Sequence, residues 1–308
     1  MKLQPAVAHY LRQKQSLGFR YRSESKILRA FERAMGKIPV GQVNPKAVRA
    51  FLDGQGPITR NWICKWTALR GFYEFALARG WVRRSPLPHR APKVVANFTP
   101  YIYTVPELRR LLQAATSERT KGVSPETMQT LLLLLYGAGL RLSEGLNLEN
   151  EDVNLDERLL HVRCSKFFKS RLVPIGPQLA QVLGNYQRQH PAFGGSTRHL
   201  FRVTRGTPLR SWTAQAIFRS LCLAAGVRRG DGARYQPRLH DLRHTAAVHR
   251  LEAWYREGVD VQARLVQLSA YLGHVSLAGT QHYLTLTPEL VAQANARFAR
   301  YALGGDHE

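Results

Sequence analysis

Cysteine, acidic residues and long apolar runs are all scarce in this chain. Three cysteines, Cys64, Cys164 and Cys222, stand far apart in 308 residues, with no CxxC pair among them. That excludes a zinc ribbon or a disulfide framework as the basis of the fold, and it suits a reducing compartment. The greasiest stretch, around Leu131 and Leu135, is too short to span a bilayer and reads as a buried helix. The opening residues MKLQPAVAHYLRQ lack the apolar run of a signal peptide, so a soluble cytoplasmic protein is expected. GxGxxG, P-loop, βαβ repetition and internal repeats are missing as well, which argues against nucleotide-driven chemistry. No strong metal motif is present, and the expectation is an activity with no metal and no cofactor.

The shortage of acid is the most informative. Asp and Glu number 21 against 45 Lys and Arg, a formal net charge of +24 and a pI near 10.7. Such an excess points to a polyanionic partner, most often nucleic acid. Otherwise the composition, 44% hydrophobic and 21% charged, is that of a globular protein, and the length suits about two domains. Residues 1–99 hold 19 of the basic and four of the acidic residues, so about a third of the chain carries most of the excess. Ser85 to Pro106 contains five prolines and few periodic apolar positions, and reads as an inter-domain linker. The boundary falls near residues 97–103, giving domains 1–97 and 98–308.

The first domain reads as all-helical. Asn44-Pro45 is an N-cap with proline at the first helical position, and Thr59 to Arg79 repeats Trp62, Trp66, Leu69, Tyr73 and Ala76 at helical spacing. The two tryptophans share the apolar stripe and read as core. Arg60, Lys65, Arg70 and Arg79 fall off it and are candidates for phosphate contacts or simply form a solvated face. In the second domain, Thr104-Val105-Pro106-Glu107 is a capping-box pattern, and Ser124-Pro125-Glu126 opens a helix that should stop near Gly137 and Gly139. Leu160, Val162 and Cys164 alternate like a strand, and Leu172 to Ile175 looks like its return. The fold class is therefore mainly α with a small antiparallel β-hairpin whose tip is basic. From Pro177 onward the pattern is mostly helical.

Four clusters could carry chemistry: Gly139 to Glu144, the hairpin Lys166 to Arg171, His240-Asp241-Leu242-Arg243-His244, and Leu272-Gly273-His274 followed by Tyr283. Two arginines can clamp both non-bridging oxygens of a phosphodiester and stabilise phosphoryl transfer without a metal. A tyrosine can attack once its proton is taken, a histidine can take it, and a lysine can protonate the leaving oxygen. His240 and Arg243 are three apart and share a helix face.

In this order the clusters resemble the tyrosine recombinase, or phage-type integrase, family. That family carries an Arg in a GLR-x-SE segment, a Lys on a β-hairpin, H-x-x-R in HDLRHT, and LGH followed by the tyrosine nucleophile. The matching residues are Arg141, Lys166, His240, Arg243, His274 and Tyr283, within blocks from about 131 to 284. Leu69-Arg70-Gly71-Phe72-Tyr73 resembles the family's helical core-binding domain more weakly. The resemblance implies attack by Tyr283 on a DNA strand, a 3′-phosphotyrosyl link and a freed 5′-hydroxyl, with the reverse step joining a new strand.

Arg141 and Arg243 would clamp the phosphate, Lys166 would be the general acid with Lys169 as its rival, His240 would help activate the tyrosine and His274 would bond the phosphate. Glu144 and His244 would support, and Arg171 would join the DNA contacts. The implied partners are double-stranded DNA with specific recombination sites, further copies of the chain (a dimer per site, a tetrameric synapse) and accessory proteins. Thr287 to Phe298 would form a C-terminal exchange helix, and Trp254 to Gln267 reads as an insertion of about two helical turns. A site-specific recombinase leads; a type IB topoisomerase-like enzyme and a catalytically silent DNA-binding regulator are the alternatives.

Overall fold

The computed structural model describes residues 1–56, 58–93, 99–118, 120, 122–163, 170–191, 198–233, 235–274 and 276–285. The chain divides into two compact units, Met1–Asn97 and Phe98–Glu308.

The first unit consists of α1 (Leu3–Ser16), α2 (Arg22–Met35), α3 (Pro45–Asp53) and α4 (Arg60–Ala78). The Asn44 side chain accepts from the backbone N–H of Lys46, and Thr59 caps α4 through the N–H of Asn61. Both caps satisfy donors that a helix start leaves unpaired. The stripe of α4 turns inward: Trp62, Leu69, Phe72, Tyr73 and Ala76 are buried with Leu3, Tyr10, Leu28 and Phe31. Trp62 is core and Trp66 is half-buried, and their indole N–H groups donate to the Asp53 carboxylate and to the Pro88 carbonyl.

The second unit is mainly helical around one small sheet. Its elements are α5 (Val105–Ser117), α6 (Pro125–Gly137), α7 (Leu142–Asn147), β1 (Val153–Asn154), β2 (Leu159–Val162), β3 (Arg171–Pro174), α8 (Pro177–Gln189), α9 (Ser211–Ala224), α10 (Asp241–Arg256), α11 (Val261–Leu272) and α12 (Ala278–Gln281). A 3₁₀ turn, His282–Thr285, follows. The strands form an antiparallel sheet in the order β1-β2-β3, with Leu160 opposite Val153 on one side and Val173 on the other. The sequence pattern indicated only the β2–β3 pair; two residues are too few for β1 to show an alternation. The helix α6 is the centre of the unit: it packs on α5, α8 and α10, and Met128, Leu131, Leu134 and Leu135 are almost wholly buried. Its apolar residues are spread around the axis, as expected for a helix covered on several sides.

Ser85 to Pro106 departs from the expected linker. Leu87 and Ala91 pack on the first unit's core, whereas Tyr103 is fully buried in the second. The Tyr103 hydroxyl donates to the Arg238 carbonyl, and its backbone N–H donates to Thr245 Oγ1 on α10. Proline content alone does not show that alternating aromatics anchor the stretch. The expected insertion, residues 254–267, is the end of α10, a turn through Gly258 at positive φ, and the first half of α11. The expected exchange helix lies outside the described residues.

Substituting Phe72→Ala should remove a ring packed edge-on to Tyr10 and Tyr73 and cost about 3–5 kcal/mol. Guanidinium titration followed by tryptophan fluorescence should show the first unit unfolding at lower denaturant.

Candidate active site

Segments far apart in the chain meet around one buried carboxylate. Arg141 is the N-cap residue of α7 and Glu144 lies in its first turn, only 6% exposed. Glu144 accepts the backbone N–H of Arg141 at 3.0 Å and Arg141 Nη1 at 2.6 Å. It also accepts Arg171 Nη1 and Nη2, at 3.1 and 3.0 Å, one on each oxygen. Arg243 Nη1 stands 3.9 Å from the same carboxylate. Burial disfavours the charged carboxylate, yet the bonds from Arg171 and from the Arg141 backbone outweigh it and bring Glu144 down to about 2.

The end of α11 supplies the second set of acceptors. The last carbonyls of a helix have no partner within it and carry the negative end of its dipole. Tyr271 O accepts Arg171 Nε at 3.1 Å, Leu272 O accepts Arg243 Nη2 at 2.6 Å, and Gly273 O accepts Arg141 Nη2 at 2.8 Å. Three consecutive carbonyls thus hold three guanidiniums. The carbonyl of Gly139 takes Arg243 Nη1 at 2.8 Å.

Two glycines make this geometry possible. Gly139 and Gly273 both adopt positive φ, of 58° and 67°. A Cβ on Gly139 would come within 2.9 Å of a Leu272 methyl, and one on Gly273 within 2.9 Å of the Arg171 guanidinium. Three guanidiniums face one carboxylate, so the site keeps a net positive charge of two. Each guanidinium has five N–H donors; among the described residues Arg141 commits two, and Arg243 commits two to carbonyls and also bonds the Tyr283 hydroxyl, so both keep donors for an anion. Arg243 is 2% exposed, and burial together with Arg141 lowers its pKa to about 10, still high enough to remain charged at neutral pH.

The helix α10 brings His240, Arg243 and His244 to this site. His244 Nδ1 lies 3.2 Å from the Tyr283 hydroxyl, and the His240 ring sits edge-on to His244. Tyr283, on the 3₁₀ turn after α12, is buried with Leu251, Leu268 and Leu272, and its ring stacks on His274. Thr280 Oγ1 is 2.7 Å from His274 Nδ1, which leaves Nε2 without a partner among the described residues. Burial pushes the Tyr283 phenol above its ordinary value, while Arg243, which also bonds it, and Arg141 pull it back. All three histidines are pushed toward the neutral form. Burial and then His240 bring His244 to about 3, burial and then Arg243 bring His274 to about 4, and desolvation and then Arg243 lower His240. Among the described residues, no three His, Cys, Asp or Glu side chains gather as a metal site, and no helix is long and apolar enough to cross a membrane.

Arg141, Glu144, His240, Arg243, His244, His274 and Tyr283 therefore come together, and several expectations change. The contact with the tyrosine hydroxyl belongs to His244, one turn beyond His240. Arg171, expected among the DNA contacts, is bonded within the protein: its side chain is 14% exposed and held by Glu144 and the Tyr271 carbonyl. Lys65 donates to the Phe51 and Leu52 carbonyls and so closes the end of α3, and Arg70 pairs with Glu74. Arg60 is exposed. Lys166 and Lys169 lie outside the described residues. Sequence reasoning missed Thr280 and the backbone acceptors, for which the local sequence carries no signal.

Residues 103–289 match the phage integrase family. The chain is 33% identical to y4rB of Sinorhizobium fredii, an integrase/recombinase by name, over 96% of each. It is 31% identical to tyrosine recombinase XerA of Pyrococcus furiosus over 70% of this chain and 68% of that one. The fold is similar to that of the Tn1549 transposon integrase in complex with transposon right end DNA, with a TM-score of 0.71 at 16% identity over 98% of this chain and 100% of the other. The chain belongs to the phage integrase family of tyrosine recombinases.

Gly273→Ala should cost at least about 1–2 kcal/mol from the left-handed backbone alone and force Arg171 off its seat, read as a lowered Tm. Acid should also destabilise the fold. The unfolded chain takes up protons near pH 6.5 that folded His244 and His274 refuse until about 3 and about 4. Their contribution is complete above pH 6.5 and is lost as pH falls through that window; Glu144 adds a loss of the same sign between 4.5 and about 2. Melting curves from pH 8 to 5 should show the decline, and His244→Asn should flatten it.

Proposed function

We propose that the protein is a site-specific DNA recombinase of the integrase or transposase type, in which Tyr283 is the nucleophile. The observation that carries this reading is the contact of a buried tyrosine hydroxyl with a neutral histidine, His244, beside two guanidiniums that still have donors to offer.

Arg141 and Arg243 hold the two non-bridging oxygens of a strand phosphate. The Tyr283 oxygen forms its bond to phosphorus as His244 takes the phenolic proton, and the bond from phosphorus to the 5′-oxygen breaks. His274 Nε2 bonds the phosphate, with Thr280 fixing the ring. A lysine of the hairpin, Lys166 by resemblance, protonates the departing 5′-oxygen. The product is a 3′-phosphotyrosyl link and a free 5′-hydroxyl, and attack by a 5′-hydroxyl of another strand reverses the step. Bond energy stays in the link, so the cycle consumes no ATP. His240, stacked against His244, assists without touching the phenol.

The basic helical unit 1–97 is the natural DNA core-binding domain and 98–308 the catalytic one, with the C-terminal residues exchanging between copies. Double-stranded DNA carrying recombination sites is the partner, bound by one dimer per site and a tetramer at synapsis, in the cytoplasm at the nucleoid. The structural neighbours include a lambda integrase dimer bound to a core site and a tetramer bound to a Holliday junction. A topoisomerase-like activity and a silent regulator are not favoured.

Incubation with a pool of nicked duplexes of randomised sequence, in EDTA, tests the reading. The nick lets a short fragment diffuse away and traps the covalent link. A protein–DNA band on a denaturing gel with the wild type, absent with Tyr283→Phe, is expected, and its DNA identifies the site. A band with both proteins would overturn the choice of nucleophile. Relaxation of supercoiled plasmid lacking the site would favour the topoisomerase.

A further inference from the structure

Arg171 stands outside the set of residues that the proposed reaction uses, yet it is the most constrained guanidinium of the three. All three of its nitrogens are committed: Nε to the Tyr271 carbonyl, Nη1 and Nη2 to the two oxygens of Glu144. Its guanidinium lies against Gly273, where even a methyl group would collide. It is the first residue of β3, so it ties the sheet to α7 through Glu144 and to the end of α11 through Tyr271.

Glu144 is where this matters. Without Arg171, one carboxylate oxygen keeps Arg141 Nη1 at 2.6 Å and the other loses its only side-chain partner within hydrogen-bond distance among the described residues, since Arg243 stands 3.9 Å away. An under-satisfied buried carboxylate draws the nearest cations to itself. Those cations are Arg141 and Arg243, the two that must face the DNA phosphate.

We propose that Arg171 is a positioning residue of the recombination reaction. By satisfying Glu144 with a bidentate fork, it keeps Arg141 and Arg243 turned toward the scissile phosphate, and it touches no DNA itself. This rests on the reading of the site as a phosphodiester-cleaving centre.

Four variants separate the possibilities: Arg171→Met, Arg171→Lys, Glu144→Gln, and Arg171→Met combined with Glu144→Gln. They are assayed on the nicked duplex recovered from the selection above, with the wild type and Tyr283→Phe alongside. If the wild type cleaves and Tyr283→Phe does not, the functional reading stands whatever Arg171 does. Binding is measured against salt, because each phosphate contact contributes about −0.9 to the slope of log affinity on log salt.

Arg171→Met is expected to keep the wild-type salt slope and to slow cleavage by about 10²-fold, the scale of a misplaced catalytic group. Arg171→Lys should recover little, since a point charge cannot span both carboxylate oxygens. The double variant should cleave no more slowly than Arg171→Met, because removing the charge of Glu144 removes the pull that Arg171 counters. A duplex with a methylphosphonate at the scissile position needs less charge stabilisation, so the variant's defect should shrink on it.

A salt slope reduced by about one in Arg171→Met would make Arg171 a DNA contact and overturn the proposal. So would losses from Arg171→Met and Glu144→Gln that multiply, or a cleavage defect equal on both substrates. If Arg171→Met is too unstable to assay, Arg171→Lys with and without Glu144→Gln decides the same questions.

Discussion

Glu144 holds the site together. Three guanidiniums brought within a few ångströms repel one another, and a buried carboxylate is costly when it has no partner. Each problem resolves the other. Arg141 comes from the start of α7, Arg171 from β3 and Arg243 from α10, so one carboxylate fastens three separate elements. The end of α11 completes the arrangement with three consecutive carbonyls, each taking one of the same arginines. The result is a fixed array with positive charge to spare, formed before any anion arrives. Preorganised charge of this kind is the strongest means a protein has of stabilising charge that develops during a reaction.

The surroundings of the tyrosine follow from that excess charge. Burial and the nearby arginines keep His240, His244 and His274 neutral, and a neutral imidazole can accept a proton. Burial holds the Tyr283 phenol protonated, while the guanidinium of Arg243 favours its phenolate. In the proposed reaction the nucleophile is thus stored in its inactive form beside the groups that activate it. The Arg238–Asp241 pair and Tyr103 anchor the start of α10, so the histidines and Arg243 enter the site from a fixed direction.

Much of this could be read in the residues. Gly139, before Arg141, reads as a helix break, and the structure gives it and Gly273 the task of turning carbonyls toward guanidiniums. The caps at Asn44, Thr59, Thr104 and Ser124 are local hydrogen bonds within three residues, and local bonds are legible in local sequence. The interactions that local sequence does not show are long-range. Arg171 pairs with a carboxylate 27 positions away, and Tyr283 bonds a histidine 39 positions away. Lys65 reads as an exposed cation from its place on α4 and instead closes the end of α3, which the pattern of α4 alone does not reveal.

The sequence by itself determined the basic, mainly helical character of the chain, the two-unit organisation of its pattern, and the order in which the arginines, histidines and tyrosine of the candidate site occur. Charge, periodicity and capping act over one or a few turns, and a linear reading captures them. Tertiary structure alone decided which histidine meets the tyrosine, which arginine holds both oxygens of the carboxylate, and that the proline-rich stretch packs into both units. A hydrogen bond depends on distance and angle between atoms, and in this site those are set by how α7, β3, α10 and α11 meet around one buried charge.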